Sequence, residues 1–148
     1  MYQRILVPTD GSETATTGLR EAIKLAKVHG SRIRIFHVVD DTPVAAPQIY
    51  GMVLNQLIAQ LRSAGESIVS TATELAQHAG IPVDAKMVEA LSGPAGELIV
   101  QAAKDWPADL IVCGTHGRRG LRRIVMGSDA EFILRHSPVP VLVIRADG

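Results

Sequence analysis

The chain has one cysteine, one tryptophan, two tyrosines, two phenylalanines and no net charge. A lone Cys113 excludes an intramolecular disulfide framework and a multi-cysteine metal site, and at the end of an apolar run it reads as a buried, inert thiol. Aromatics at 3% remove the stacking platforms that single-stranded nucleic-acid binding uses. Fifteen basic residues balanced by fifteen acidic ones remove the simplest electrostatic case for a nucleic-acid or membrane partner. No apolar run approaches the ~20 residues of a bilayer-spanning helix. The opening Met1–Pro8 segment is too short and interrupted for a secretory signal, so a soluble, cytoplasmic protein is expected. No Gly-x-Gly-x-x-Gly follows the first strand-like run and no Gly-Lys-Ser/Thr occurs, so the dinucleotide and Walker A fingerprints both fail. A receiver-domain reading also fails: the third strand leads to Val88-Glu89 and the fifth to Ile144-Arg145, without the Asp and Lys it needs. No Glu/His metal spacing and no activated-nucleophile pattern is found.

What is present is aliphatic. Hydrophobic residues make up 47% of 148 positions, enough for one domain over 1–148 with a real core, and their Val/Ile/Leu character suits a buried parallel sheet. Short apolar runs alternate with helical periodicity, the pattern of βαβ units. Strands are expected at Arg4–Val7, Arg32–Val39, Val83–Val88, Leu110–Cys113 and Val139–Ile144. The third is the least apolar and is expected at an edge. Helices are expected over Ser12–His29, with Ala15, Leu19, Ala22, Ile23 and Ala26 on one face and Gly30 as C-terminal cap. Others follow over Met52–Ala79, stopped by Gly80 and Pro82, from Gly93-Pro94 with Leu98, Ile99 and Ala102 inward, and over Ser128–His136. Residues 42–50 read as a connecting loop. The expected product is a doubly wound five-stranded parallel sheet with helices on both faces, binding its ligand at the strand carboxyl ends near a topological switch point.

The run from Gly114 to Ser128 is the richest in chemistry. Gly114 and Gly117, then nine residues, then Gly127-Ser128, link a strand to a helix. Glycines let a backbone approach phosphate closely, and a serine at a helix start adds a hydroxyl to amides that the helix dipole favours for an anion. Charge agrees: residues 114–148 hold six arginines against three acids, and Arg118, Arg119, Arg122 and Arg123 fall inside this loop. His116 is placed to touch a phosphate, but nothing pairs it with a nucleophile. His37 reads as a satisfied structural histidine, and His29, His78 and His136 as surface residues. Asp10, in the loop leaving strand one, should meet the glycine loop at the same sheet edge. It could accept from ribose or base, hold Mg²⁺ through water, or cap the first helix alongside Ser12. Ser128 is likewise open to a plain capping role, the preceding Gly127 favouring the anion.

The sequence resembles the universal stress proteins, in their ATP-binding class, over essentially its whole length. The resemblance rests on Ile5-Leu6-Val7-Pro8-Thr9-Asp10-Gly11-Ser12, Phe36-His37-Val38-Val39-Asp40, the Gly-x2-Gly-x9-Gly-Ser spacing at 114–128, and Ser137-Pro138-Val139-Pro140-Val141-Leu142-Val143-Ile144. It implies a Rossmann-like fold of the adenine-nucleotide-binding type and an ATP site, commonly with Mg²⁺ or Mn²⁺. Adenine would be held by backbone at Val38, with Pro8, Thr9 and Asp10 at the nucleoside. Gly114, Gly117, Gly127 and Ser128 would wrap the phosphates, with His116, Arg118 and Asp129 in the same loop and helix start. Asp129 stands where many relatives carry a small or apolar residue, and it is expected to face solvent with the arginines compensating. An apolar fifth strand interrupted by Pro140 reads as an edge in need of cover, and the resemblance implies a homodimer through 139–145. The expected activity is nucleotide-dependent regulation in a stress response, through an unidentified protein partner and with no assigned catalytic residue. A slow ATP hydrolase using Asp10 and a metal, and an ATP-free protein acting by contacts alone, are the competing readings.

Overall fold

The computed structural model describes residues 1–40, 52–90, 94–115 and 126–146. In chain order these form β1 (Arg4–Pro8), α1 (Glu13–His29), β2 (Arg32–Asp40), α2 (Met52–His78), β3 (Val83–Ala90), α3 (Ala95–Asp105), β4 (Leu110–Gly114), α4 (Ser128–His136) and β5 (Val141–Ile144). The strands build one sheet in the order β3-β2-β1-β4-β5. Every pairing is parallel. The order reverses between β1 and β4, which makes that junction the topological switch point.

Alternation along the strands sorts side chains onto two faces. Ile5 and Val7 of β1 join Ile33, Ile35, Leu110 and Val112 beneath α1 and α2, packed with Leu19, Ala22, Ile23, Ala26, Ala72 and Ala76. Leu6, Phe36 and Ile111 point the other way, against Ile99, Val100 and Ala103 of α3 and Ile133 of α4. Helices therefore cover both faces. The α1 stripe expected from periodicity is buried in full, and Gly18 is buried with it. Gly30 ends α1 in the left-handed region, at φ 69°, where a glycine carries no Cβ penalty.

Each strand differs from expectation at one end. β1, β2 and β4 each run one residue further, and β3 two, to Ala90. β5 begins at Val141 rather than Val139, because Pro140 has no N–H to give a ladder; its carbonyl still accepts from Ile111 N at 3.0 Å. In α2 the expected stripe is buried outright only at Ala72 and Ala76, while Leu54, Leu57, Ile58, Leu61, Ile68 and Leu75 are half-buried. In α3, Ile99 is buried as expected, joined by Val100 and Ala103, whereas Leu98 and Ala102 are half-buried. Both edge strands, β3 and β5, follow from the sheet order.

Candidate nucleotide site at the sheet switch point

β1 ends at Pro8, paired with Phe36 of β2. Thr9 then turns away from the sheet. Its N–H still donates to Phe36 O at 2.9 Å, and its hydroxyl accepts from Gly11 N at 3.2 Å. Gly11 takes φ +81°, a conformation in which L side chains are strained. Asp10 Oδ1 accepts from Ser12 N at 2.9 Å, and Ser12 Oγ accepts from Ala15 N at 3.2 Å. The cap of α1 is thus Ser12, with Asp10 tightening the turn before it. The two roles left open for Asp10 divide: helix capping belongs to Ser12, and the half-buried Asp10 carboxylate lies at the sheet edge.

His37 fixes the same turn from β2. It is buried, and its Nδ1 lies 2.7 Å from Thr9 O. A carbonyl oxygen can only accept, so Nδ1 carries the proton and donates. This is the satisfied structural histidine expected from sequence. The Thr9–Phe36 bond also orients the Val38 backbone. In a parallel ladder the N–H and C=O of one residue point to the same neighbour, and alternate residues share a side. Phe36 O faces β1, so the Val38 backbone faces β1 as well, beyond the point where that strand has turned off. The Val38 side chain packs into the α3–α4 side of the core.

The other half of the corner comes from β4. Gly114, its last residue, lies against the first turn of α1: a Cβ there would be 2.6 Å from Thr14 Cγ2 and 3.0 Å from the Thr14 carbonyl carbon and oxygen. Gly114 is therefore required by strand–helix packing, whatever else it contacts. Thr115 follows, buried, donating its N–H to Ile144 O at 2.9 Å. Its own carbonyl accepts from Gly127 N at 2.7 Å. The chain that leaves the sheet at 115 thus returns to the same place at 127. His116, Gly117 and Arg118 lie outside the described residues, as do the other arginines of that loop.

Gly127, not Ser128, is the N-cap of α4, and it supplies no side-chain capping bond. Ser128 is the first helical residue and is exposed, so its hydroxyl is not the cap of its own helix. Asp129 is exposed, as expected, and in addition its Oδ1 accepts from Gly96 N at the start of α3, 3.0 Å away. α3 begins after Pro94, which has no side chain able to cap it, and a carboxylate in the neighbouring helix meets that need.

Pro8, Thr9, Asp10, Val38, Gly114, Gly127 and Ser128 thus gather at one end of the sheet, around the β1–β4 junction, with the Asp129 carboxylate turned toward α3. Sequence reasoning missed Thr115, and it missed Gly65 and Gly96, two helical glycines at close approaches. A Cβ on Gly65 would lie 2.8 Å from Met87 Sδ and 3.0 Å from the His37 ring; a glycine inside a long helical pattern was the available signal. A cavity of about 210 Å³ opens between α1 and α2 behind Thr9 and Gly11, lined also by Thr16, Ser67, Ile68 and Thr71. Among the described residues no group of three or more His, Cys, Asp or Glu could hold a metal, and no helix is long and apolar enough to cross a membrane.

Comparison with known proteins agrees with this architecture. The model of the universal stress protein family matches residues 1–145. A universal stress protein of Methanocaldococcus jannaschii is 34% identical over 146 residues, covering 98% of this chain and 83% of its own length. Among solved structures, the hypothetical protein MJ0577 superposes with a TM-score of 0.87 at 28% identity, over 100% of this chain and 99% of its own. A universal stress protein in complex with cAMP has TM-score 0.69 at 22% identity, covering 99% and 98%. One from Archaeoglobus fulgidus in complex with dAMP has 0.71 at 21%, covering 97% and 98%. With the β3-β2-β1-β4-β5 sheet and the motifs of both its halves in place, the chain belongs to the universal stress protein family.

Proposed function

We propose that this chain is an ATP-binding universal stress protein: a one-domain, cytoplasmic, homodimeric regulatory module whose nucleotide occupancy alters contacts with a protein partner. The observation that carries the reading is the convergence at the switch point. The Pro8–Asp10 turn and the Val38 backbone face the place where the 116–126 loop leaves and rejoins β4 and α4. Backbone at Val38 suits the edge of an adenine ring, and Asp10 suits the ribose. The first turn of α4, without a side-chain cap of its own, offers amide N–H groups and the Ser128 hydroxyl to polyphosphate. Gly114, Gly117, His116 and Arg118 complete the phosphate end. Relatives of the same fold held with cAMP and dAMP support an adenine nucleotide as the ligand class.

Mg²⁺ or Mn²⁺ would accompany ATP. Magnesium in nucleotide sites is commonly held by one or two carboxylates, waters and the phosphates themselves. Asp10 fits the carboxylate role, since its half-buried side chain sits in the turn that leaves β1 at this edge of the sheet.

Titration calorimetry with ATP and Mg²⁺ tests the reading. One nucleotide per chain is expected, with Gly127→Val and Gly117→Val each abolishing the heat while the far-UV spectrum stays unchanged. Undiminished binding in both variants overturns the site.

A further inference from the structure

Helices α3 and α4 begin close together, and neither is capped by its own N-cap side chain: the positions are Pro94 and Gly127. A helix start carries unpaired N–H groups and positive partial charge, so two such ends brought together repel. Glu97 and Glu131 lie in the same two first turns, and the carboxylate of Asp129 bridges the two ends. Asp129, in the first turn of α4, is favourably placed for its own helix dipole, and its Oδ1 accepts from Gly96 N in the first turn of α3. Glycine at 96 permits the approach, since a Cβ there would lie 3.0 Å from Phe132 Cβ and 3.2 Å from Asp129 O. The start of α4 is fastened on its other side to β4, through Gly127 N on Thr115 O at 2.7 Å.

We infer that Asp129 is a positioning residue, a clamp that holds the first turn of α4 against α3 and so sets where Gly127 and Ser128 stand beside Thr115 at the end of β4. Its Oδ1 is directed at α3. A carboxylate in that place offsets part of the repulsion between the two helix ends. The inference deepens the nucleotide reading and rests on it for one of its two measurements.

The experiment compares Asp129→Ala, which removes both acceptor and charge, with Asp129→Asn, which keeps an acceptor oxygen for Gly96 N. Amide exchange followed by NMR needs no nucleotide. In Asp129→Ala the Gly96 amide should exchange faster, and so should the Gly127 amide at the start of α4, each by about fivefold, the scale of a lost helix cap. Asp129→Asn should restore most of both. The ATP dissociation constant should follow, weaker by about fivefold in Asp129→Ala and close to the parent value in Asp129→Asn. Faster exchange confined to Gly96 would reduce Asp129 to a local cap and overturn the clamp. Tighter ATP binding in both variants would mean that the carboxylate repels phosphate directly, which also overturns it. If the parent protein binds no ATP, the nucleotide reading falls, and exchange at Gly127 still decides the clamp.

Discussion

A methyl group at position 114 would meet both the side chain and the backbone of Thr14, and a helix backbone cannot yield as a flexible side chain can. Gly114→Ala should therefore destabilise the fold by roughly 1–3 kcal/mol through overpacking. Gly30→Ala meets nothing within 4 Å and should cost only ~1 kcal/mol, for a left-handed backbone with a Cβ. Urea unfolding of the two variants checks that order. The comparison also shows why Gly127 is the better probe of the ligand: weakened binding in a position-114 variant would report packing as much as phosphate contact. Next to Gly114, burial pushes the Cys113 thiol up to about 11. A thiol raised in the folded state favours its neutral form there, so its contribution to stability is intact below the ordinary value of 9.0 and is lost as pH rises through about 11. Cys113 in the folded protein should stay unmodified by a thiol-selective reagent at pH 8 and react once the chain is unfolded in urea. Buried and inert was the sequence reading of this residue; the helix pressed against Gly114 was not legible, because Thr14 is a hundred positions away.

Among the elements, the two edge strands differ in kind. β3 is tied to β2 by charge: Arg34 Nε and Nη2 donate to the Asp84 carboxylate at 2.6 and 2.9 Å, with the guanidinium 4.7 Å over the Trp106 ring. The Arg62–Glu89 pair joins α2 to the same strand. The hydrogen bonds from Arg34 hold the Asp84 carboxyl below its ordinary 3.8, with the Arg34 and Arg32 charges acting the same way and burial acting against them. A carboxylate depressed in the folded state stabilises above its unfolded value, and that contribution is lost as pH falls through the lower, folded one. Asp84→Asn should thus cost stability at pH 7, by no more than ~1 kcal/mol because both partners are partly exposed, and the difference from the parent should shrink below pH 4. Urea midpoints at pH 7 and pH 3 read it directly. Element existence and type were legible throughout, because strand and helix periods differ. The ends were less so: β3 gains its last two residues, Glu89 and Ala90, from pairing with Val39 and Asp40, and such a cross-strand partner has no local signature. The start of β5 was open to the simple rule that proline donates no hydrogen bond.

At the scale of the whole molecule, β5 presents the apolar edge, with Val141, Leu142, Val143 and Ile144 all half-buried. Leu142 and Ile144 pack on the α1 side of the sheet, and Val141 on the α4 side. An open apolar edge favours pairing with a second copy. Sedimentation at micromolar concentration should give a dimer, and Val143→Lys should shift it to monomer without loss of helix content. A monomeric parent protein overturns the homodimer. The corner that carries the proposed function is also a property of the whole, since it exists only because β1 and β4 are neighbours.

Sequence by itself determined the class of fold, because buried parallel strands and amphipathic helices write different periods into the chain. It also singled out the loops proposed to carry the chemistry, because glycine, serine and arginine in that spacing have local reasons to be there. Tertiary structure decided what those residues face. Asp129 is exposed as expected but also holds the amide of Gly96, which no local pattern announced; Gly114 was read as a phosphate neighbour and is first a neighbour of Thr14; Thr115, unremarked in the sequence, joins β5 to Gly127. Each of these depends on a partner dozens of residues away, and distances of that kind are set by packing the whole sheet, not by any local preference of the chain.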